Sequence, residues 1–196
     1  PPRELSPQEQ ARLDEAAARD NYGMPVAEIR EGNLGYLEVL GFHPPEVAAD
    51  AVAATMSKLA NADVLVIDLR ENGGGSRHGV ALMSSYLFGD ERVHLNDLYN
   101  RRRDTTESFF TSPDVPGRRF GPDKPVYVLT SGDTFSAAEE FAYNLKSLER
   151  ATIVGRSRGA GRTRSSWFPS PSTGRSCCRP HARSTRSSRR TGRAPA

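Results

Sequence analysis

The residues best placed to do covalent chemistry in this 196-residue chain lie in Thr130-Ser-Gly-Asp-Thr-Phe-Ser-Ala-Ala-Glu-Glu140. An apolar run, Val126 to Thr130, is β-branched and aromatic and predicts a buried strand. Ser131-Gly132-Asp133 is a turn signal, and a helical spacing starts at once with Ala137, Ala138, Phe141, Ala142 and Leu145. Ser136 is therefore expected where a strand gives way to a helix. Unpaired backbone N–H groups and the positive end of the helix dipole favour a developing oxyanion there. A serine so placed can be a nucleophile. It can equally be a helix cap, and with Glu139 three residues on it fits a capping box.

A second strand-to-helix junction offers matching chemistry. Asp63-Val-Leu-Val-Ile-Asp-Leu-Arg70 reads as a continuous apolar strand of the kind buried on both faces of an α/β sheet. It runs directly into Glu71-Asn-Gly-Gly-Gly-Ser76. Three glycines let backbone N–H groups approach a ligand without Cβ obstruction. With the N–H of Ala137, those of Gly74 or Gly75 would make an oxyanion hole, in which one lost donor typically costs ~3 kcal/mol. A plain tight loop is the alternative. The glycines match neither GxGxxG nor a P-loop, so nucleotide binding has little support. Ligands of open parallel sheets bind at the carboxyl ends of strands, so the two junctions are expected to face each other.

The remaining elements must position these loops. Ser6-Pro7 opens an amphipathic helix in which Leu13, Ala16 and Ala17 share a face. Val26 to Ile29 and Leu34 to Leu40 read as strands joined by the turn Glu31-Gly-Asn33. A helix to about Ala60 follows, with Val47, Ala51, Ala54 and Leu59 expected to face inward. Gly79 to Phe88 is a further helix. Val93 to about Phe110 reads as extended, an arm or hairpin broken by Arg101, Arg102 and Arg103, and Ala151 to Val154 is a last short strand. This alternation predicts an α/β domain with a mainly parallel sheet.

No apolar run approaches the ~20 residues of a membrane span, and no signal peptide is visible. The chain starts at Pro1, as expected of a processed or excised N-terminus. Cys177 and Cys178 are adjacent, an arrangement that neither bridges readily nor makes a zinc site, so no metal and no cofactor is implied. The net charge of +3 sums two unlike pieces: residues 1–155 hold 16 Lys+Arg against 24 Asp+Glu, and residues 156–196 hold 11 Arg and no acid.

Those last 41 residues contain no Leu, Ile, Val or Met and are expected to be disordered. One reading is a basic arm for nucleic acid. The other comes from the genetic code: every residue type there except Phe168 and His181 has G or C as its second codon base, as expected when a G+C-rich gene is read out of frame. Shifting by one base makes Ser157 to Arg164 compatible with Glu-Thr-Gly-Gly-Gly-Ala-His-Pro, and Gly192-Arg-Ala194 with Trp-Glu-Gly.

Leu65 to Gly75 and Leu129 to Ala142 resemble the two signature segments of the C-terminal processing (tail-specific) serine peptidases. Asn33-Leu-Gly-Tyr-Leu-Glu-Val-Leu-Gly-Phe42, His94-Leu-Asn-Asp97 and Asn144 to Gly155 resemble the branch that includes the interphotoreceptor retinoid-binding protein repeats. The resemblance implies an acyl-enzyme on Ser136, an oxyanion hole of Ala137 with Gly74 or Gly75, and peptide or protein substrates. It also implies a crotonase- or ClpP-like core of stacked ββα units over residues 23–155, after a helical segment, residues 1–22. Members are often exported or envelope-associated. Relatives with a Ser–Lys dyad place the lysine near Gly161 of this numbering, and no lysine follows Lys146. A serine hydroxyl without a base is a weak nucleophile. His78 is the candidate base, with His43 behind it; Asp133, Glu139 and Glu140 read as turn or helix-surface carboxylates.

The alternatives are a non-catalytic module that binds an apolar ligand in the same cleft, nucleic-acid binding by the tail, and a crotonase-like acyl-CoA enzyme, for which no nucleotide-binding residues are found. The coding DNA around Gly155 discriminates the two readings of the tail. A single-base slip near that codon, restoring a Gly-rich continuation, is the expected result; one uninterrupted frame in independent clones would overturn the out-of-frame reading.

Overall fold

The computed structural model describes residues 6–155; the tail from Arg156 lies outside the described residues. Helix α1, Pro7–Arg19, begins as its sequence dictates. The Ser6 hydroxyl accepts from the Glu9 N–H, the Glu9 carboxylate accepts from the Ser6 N–H at 2.9 Å, and proline occupies the first turn. The shared face expected of it packs poorly: Leu13 is 53% exposed.

Strands β1 (Ala27–Arg30), β2 (Leu34–Glu38), β3 (Val64–Asp68), β6 (Val126–Thr130) and β7 (Thr152–Gly155) form one sheet in the order β1-β2-β3-β6-β7. β1 is antiparallel to β2, and every other pairing is parallel, which is the mainly parallel α/β sheet the alternation predicts. Helices α2 (Pro45–Leu59), α3 (Arg77–Ser85) and α4 (Ala137–Ser147) each follow a parallel strand, and they pack on one another in that order. The extended stretch is a two-stranded hairpin, β4 (His94–Asn100) and β5 (Thr105–Phe110), turned at Arg101 to Asp104.

Period two along the strands decides the core. Leu37, Leu65, Ile67, Val126 and Val128 share one face and are fully or nearly fully buried, together with Met56, Leu59, Val80, Met83, Phe141 and Leu145 from the helices. The opposite face, carrying Tyr36, Val66 and Leu129, is half-buried among the described residues. β3 is thus buried on one face, not two as its unbroken apolar run suggested. The helix α2 face also differs from expectation. Ala48, Val52, Ala53, Met56 and Leu59 are buried, whereas Val47 is 40% exposed and Ala54 is exposed. Alanine on both sides of this helix leaves the apolar stripe poorly marked, and the larger Val52 and Met56 set its rotation.

The two faces of β3 predict unequal mutational costs. Ile67→Ala should lose about 2–5 kcal/mol of unfolding free energy in urea titrations, since it leaves a cavity in a closed core. Val66→Ala on the half-open face should lose less than half as much. Equal losses would place the core wrongly.

Candidate active site

Both strand-to-helix junctions lie at the carboxyl ends of neighbouring strands, because β3 pairs directly with β6. The pairing continues past the strands, with Leu69 N–H donating to Leu129 C=O at 2.9 Å. Three further hydrogen bonds then bind the two loops together, and a fourth braces one of them internally. The Thr134 hydroxyl donates to Leu69 C=O at 2.8 Å and accepts from Ser131 N–H at 2.9 Å. The Ser131 hydroxyl donates to Arg70 C=O at 2.5 Å, and Phe135 N–H donates to Asn72 C=O at 3.0 Å. The chain therefore reaches Ser136 along a fixed path.

Ser136 immediately precedes α4, with φ 56° and ψ −118°. This is the backbone of the first central residue of a type II′ turn, a position that glycine fills by default. Side chains adopt it at a cost, and such strain persists only where surrounding structure imposes it. Here the hydrogen bonds between the two loops hold the chain on either side, and Gly74 lies directly against the serine. A Cβ on Gly74 would lie 2.8 Å from Ser136 Cβ, 3.0 Å from Phe135 O and 3.1 Å from Ala137 N. No residue larger than glycine fits there without moving the serine. Gly74 itself has φ 111° and Gly75 φ 130°, so both glycines are also required by their backbones.

The capping box is met through Glu139, whose carboxylate accepts from Ser136 N–H at 2.9 Å. The reciprocal approach of the Ser136 hydroxyl has the closeness of a box but makes no cap hydrogen bond to the helix. Ser136 is exposed.

The candidate oxyanion donors divide into two kinds. Gly74 N–H donates to Asn72 Oδ1 at 2.8 Å, whereas the N–H groups of Gly75 and Ala137 donate to no other described residue. Asn72, fully buried, holds three segments at once. Its Nδ2 donates to Val39 C=O at 2.9 Å, its Oδ1 accepts from Gly74, and its carbonyl accepts from Phe135. Sequence reasoning passed over Asn72, although asparagine two residues before a turn amide is an Asx-turn signal.

None of the candidate bases hydrogen-bonds to the Ser136 hydroxyl among the described residues. His78 faces the hairpin, 3.9 Å from the Glu107 carboxylate and with its ring 5.5 Å from that of Phe109. His43 follows Phe42, which runs parallel beside Gly75, but its ring stands edge-on to Tyr22 at 6.0 Å. Glu140 pairs with Arg77 at 3.4 Å and accepts from Asn96 Nδ2 at 2.9 Å. Asp133 lines a cleft of about 280 Å³ with Glu38, Asp68, Arg70, Glu71 and Ser131.

Asp68 anchors the floor of that cleft. It accepts from Tyr36 Oη at 2.8 Å, Arg70 Nη2 at 2.6 Å and the Arg70 N–H at 3.0 Å. Burial alone would raise its pKa, but the hydrogen bonds and charge of Arg70 outweigh it and hold the carboxyl below the usual range. Among the described residues no group of His, Cys, Asp and Glu could hold a metal ion, and no helix is long and apolar enough to cross a membrane.

The model of peptidase family S41 matches residues 33–186 of this chain. The tail-specific protease of Haemophilus influenzae is 26% identical over 150 residues, which is 75% of this chain and 20% of that protein. A solved structure assigned as an S41 protease from Bacteroides fragilis superposes with a TM-score of 0.57 at 22% identity, covering 68% of this chain and 38% of the other. One from Parabacteroides merdae, assigned as a peptidase, gives 0.51 at 23% identity over 70% and 47%. These two likenesses concern the fold. The chain thus spans a fifth of the curated relative and less than half of either solved protein.

The depressed Asp68 pKa fixes a sign. Its contribution to stability is present above the unfolded carboxylate value of about 3.9 and is lost as pH falls through the lower folded value. The stability difference between wild type and Asp68→Asn, measured by urea unfolding, should therefore be large at pH 7 and shrink below pH ~4. A difference independent of pH would contradict the ion-pair account.

Proposed function

The chain belongs to peptidase family S41, and from that membership we propose that it carries the nucleophilic half of a serine peptidase site, cleaving peptide bonds through an acyl-enzyme on Ser136. The observation that carries the reading is the backbone of Ser136: an exposed serine at φ 56°, ψ −118°, wedged against Gly74. A cap needs no such conformation, because ordinary N-caps take extended backbone. Strain of this kind serves to aim a side chain out of the strand-to-helix turn toward a bound carbonyl.

In the proposed reaction the Ser136 hydroxyl oxygen bonds to the substrate carbonyl carbon and gives its proton to a base. The carbonyl oxygen becomes an oxyanion held by Ala137 N–H and an N–H of the glycine bend. The C–N bond then breaks as the amine leaves with a proton, and water hydrolyses the ester. Electrostatic preorganisation by such amides is commonly worth 10²–10³ in rate per donor. The base is absent from the described hydrogen-bond partners of Ser136, so acylation by this chain is proposed to be slow. The position at which the family's dyad lysine would fall, Gly161, lies outside the described residues. His78, the candidate base within the described residues, lies 3.9 Å from the Glu107 carboxylate.

Residues 23–155 are proposed as the peptidase-like core, of crotonase or ClpP type, in the branch of the interphotoreceptor retinoid-binding protein repeats. Peptides or proteins are the proposed substrates. The apolar-ligand alternative gains nothing from the cleft beside the site, whose lining is charged or hydroxylic.

Covalent labelling tests the assignment. A fluorophosphonate probe should modify the full chain slowly and at Ser136, with no labelling of Ser136→Ala. Equal labelling of that variant, or none of the wild type even with a lysine-bearing continuation restored after Gly155, would refute it.

A further inference from the structure

The glycine bend presents two amides, and Asn72 chooses between them. Gly74 is buried, and its N–H is fixed on Asn72 Oδ1 at 2.8 Å. The orientation of the Asn72 amide is set by chemistry, since Val39 C=O can only accept and Gly74 N–H can only donate. The carbonyl of Gly74 is engaged as well, accepting from Phe42 N–H at 2.9 Å. Gly74 has no main-chain polar group left to offer a substrate.

Gly75 is in the opposite condition. Its neighbours on both sides pair with Phe42: Gly74 C=O accepts from Phe42 N–H, and Ser76 N–H donates to Phe42 C=O at 2.7 Å. In a parallel bridge, the residue between such partners turns its own N–H away from the pairing strand. A Cβ on Gly75 would overlap the Phe42 carbonyl, so this close pairing exists because the residue is glycine. Gly75 is exposed, and its N–H donates to no other described residue.

We propose that Asn72 is a positioning residue that withdraws the Gly74 amide and leaves Gly75 N–H, with Ala137 N–H, as the oxyanion donor pair of Ser136. The same side chain sets the bend against both flanking segments. Through Val39 it fixes the bend to the extension of β2, and through Phe135 its carbonyl fixes the approach to the serine. The assignment rests on Ser136 being the nucleophile.

The test combines amide NMR of the wild-type chain with labelling kinetics. When a fluorophosphonate forms a Ser136 adduct, whose phosphoryl oxygen stands where the oxyanion would, the Gly75 and Ala137 amide protons should move strongly downfield. Gly74 should barely respond, and its amide should exchange slowly with solvent before and after modification. A downfield shift at Gly74 in place of Gly75 would overturn the Asn72 assignment while leaving Ser136 as nucleophile. Failure of any Ser136 adduct to form would remove the nucleophile reading, and the donor assignment with it.

Asn72→Ala should lower the labelling rate at saturating probe by roughly 100-fold, the effect of misplacing one donor, with half-saturation unchanged. Asn72→Ser, whose hydroxyl can still accept from the N–H two residues on, should recover part of that loss. A merely structural asparagine would lower melting temperature in both variants and leave the maximal labelling rate of the folded protein alone, which would also overturn the proposal. Should the alanine variant fail to fold, the serine variant and the wild-type spectra still decide.

Discussion

The contact between Gly74 and Ser136 is the constraint on which the site depends. Two loops from neighbouring strands approach so closely that a single methyl group on Gly74 would strike the serine Cβ at 2.8 Å. At that approach the backbone of Ser136 sits at φ 56°, ψ −118°, although its neighbour Ala137 already begins a regular helix. Around the contact the hydrogen bonds of Thr134 to Leu69, Ser131 to Arg70 and Phe135 to the Asn72 carbonyl join the same two loops, so the serine sits in a framework.

That framework follows from ordinary sheet construction. Parallel pairing of β3 with β6 brings the ends of the two strands side by side, and Leu69 carries the ladder one residue further into the loops. Helices α3 and α4, which start just beyond the two loops, pack on each other and close the core beneath them with Val80, Met83, Phe141 and Leu145. Asp68, at the last position of β3, ties Tyr36 of β2 to Arg70 of the loop. The proposed donors thus stand at the hydrogen-bonded end of the sheet, where amides of an oxyanion hole would hold their aim without reorganising.

Much of this was legible in the residues. The two strand-to-helix junctions and the mainly parallel sheet followed from runs of β-branched residues, turn signals and helical spacing, while the stretch that forms the hairpin read only as extended, an arm or hairpin. The two segments carrying Gly74, Gly75, Ser136 and Ala137 also pointed to the family. What escaped was geometric. The serine packs against a glycine 62 positions earlier, a relation no local pattern encodes. Alanine-rich α2 gave a blurred stripe, so Val47 and Ala54 were turned inward in expectation when Val52 and Met56 are the buried pair. The apolar run of β3 did not reveal that its Val66 face is half-open. Asn72 read as one more turn residue, because its importance lies in partners as distant as Val39. The candidate base, His78, hydrogen-bonds to no group of Ser136 and instead faces Glu107.

The most direct measurement is the unfolding free energy of Ser136→Gly. Glycine relieves a positive-φ, type II′ backbone at the price of a more flexible unfolded chain, so the account predicts a net gain of roughly 0.5–2 kcal/mol over wild type in urea titrations, together with loss of fluorophosphonate labelling. An ordinary N-cap serine behaves the other way, losing a few tenths of a kcal/mol on replacement by glycine. A loss of stability in Ser136→Gly would contradict the claim that Gly74 and its loop hold the serine in a strained, outward-aimed conformation.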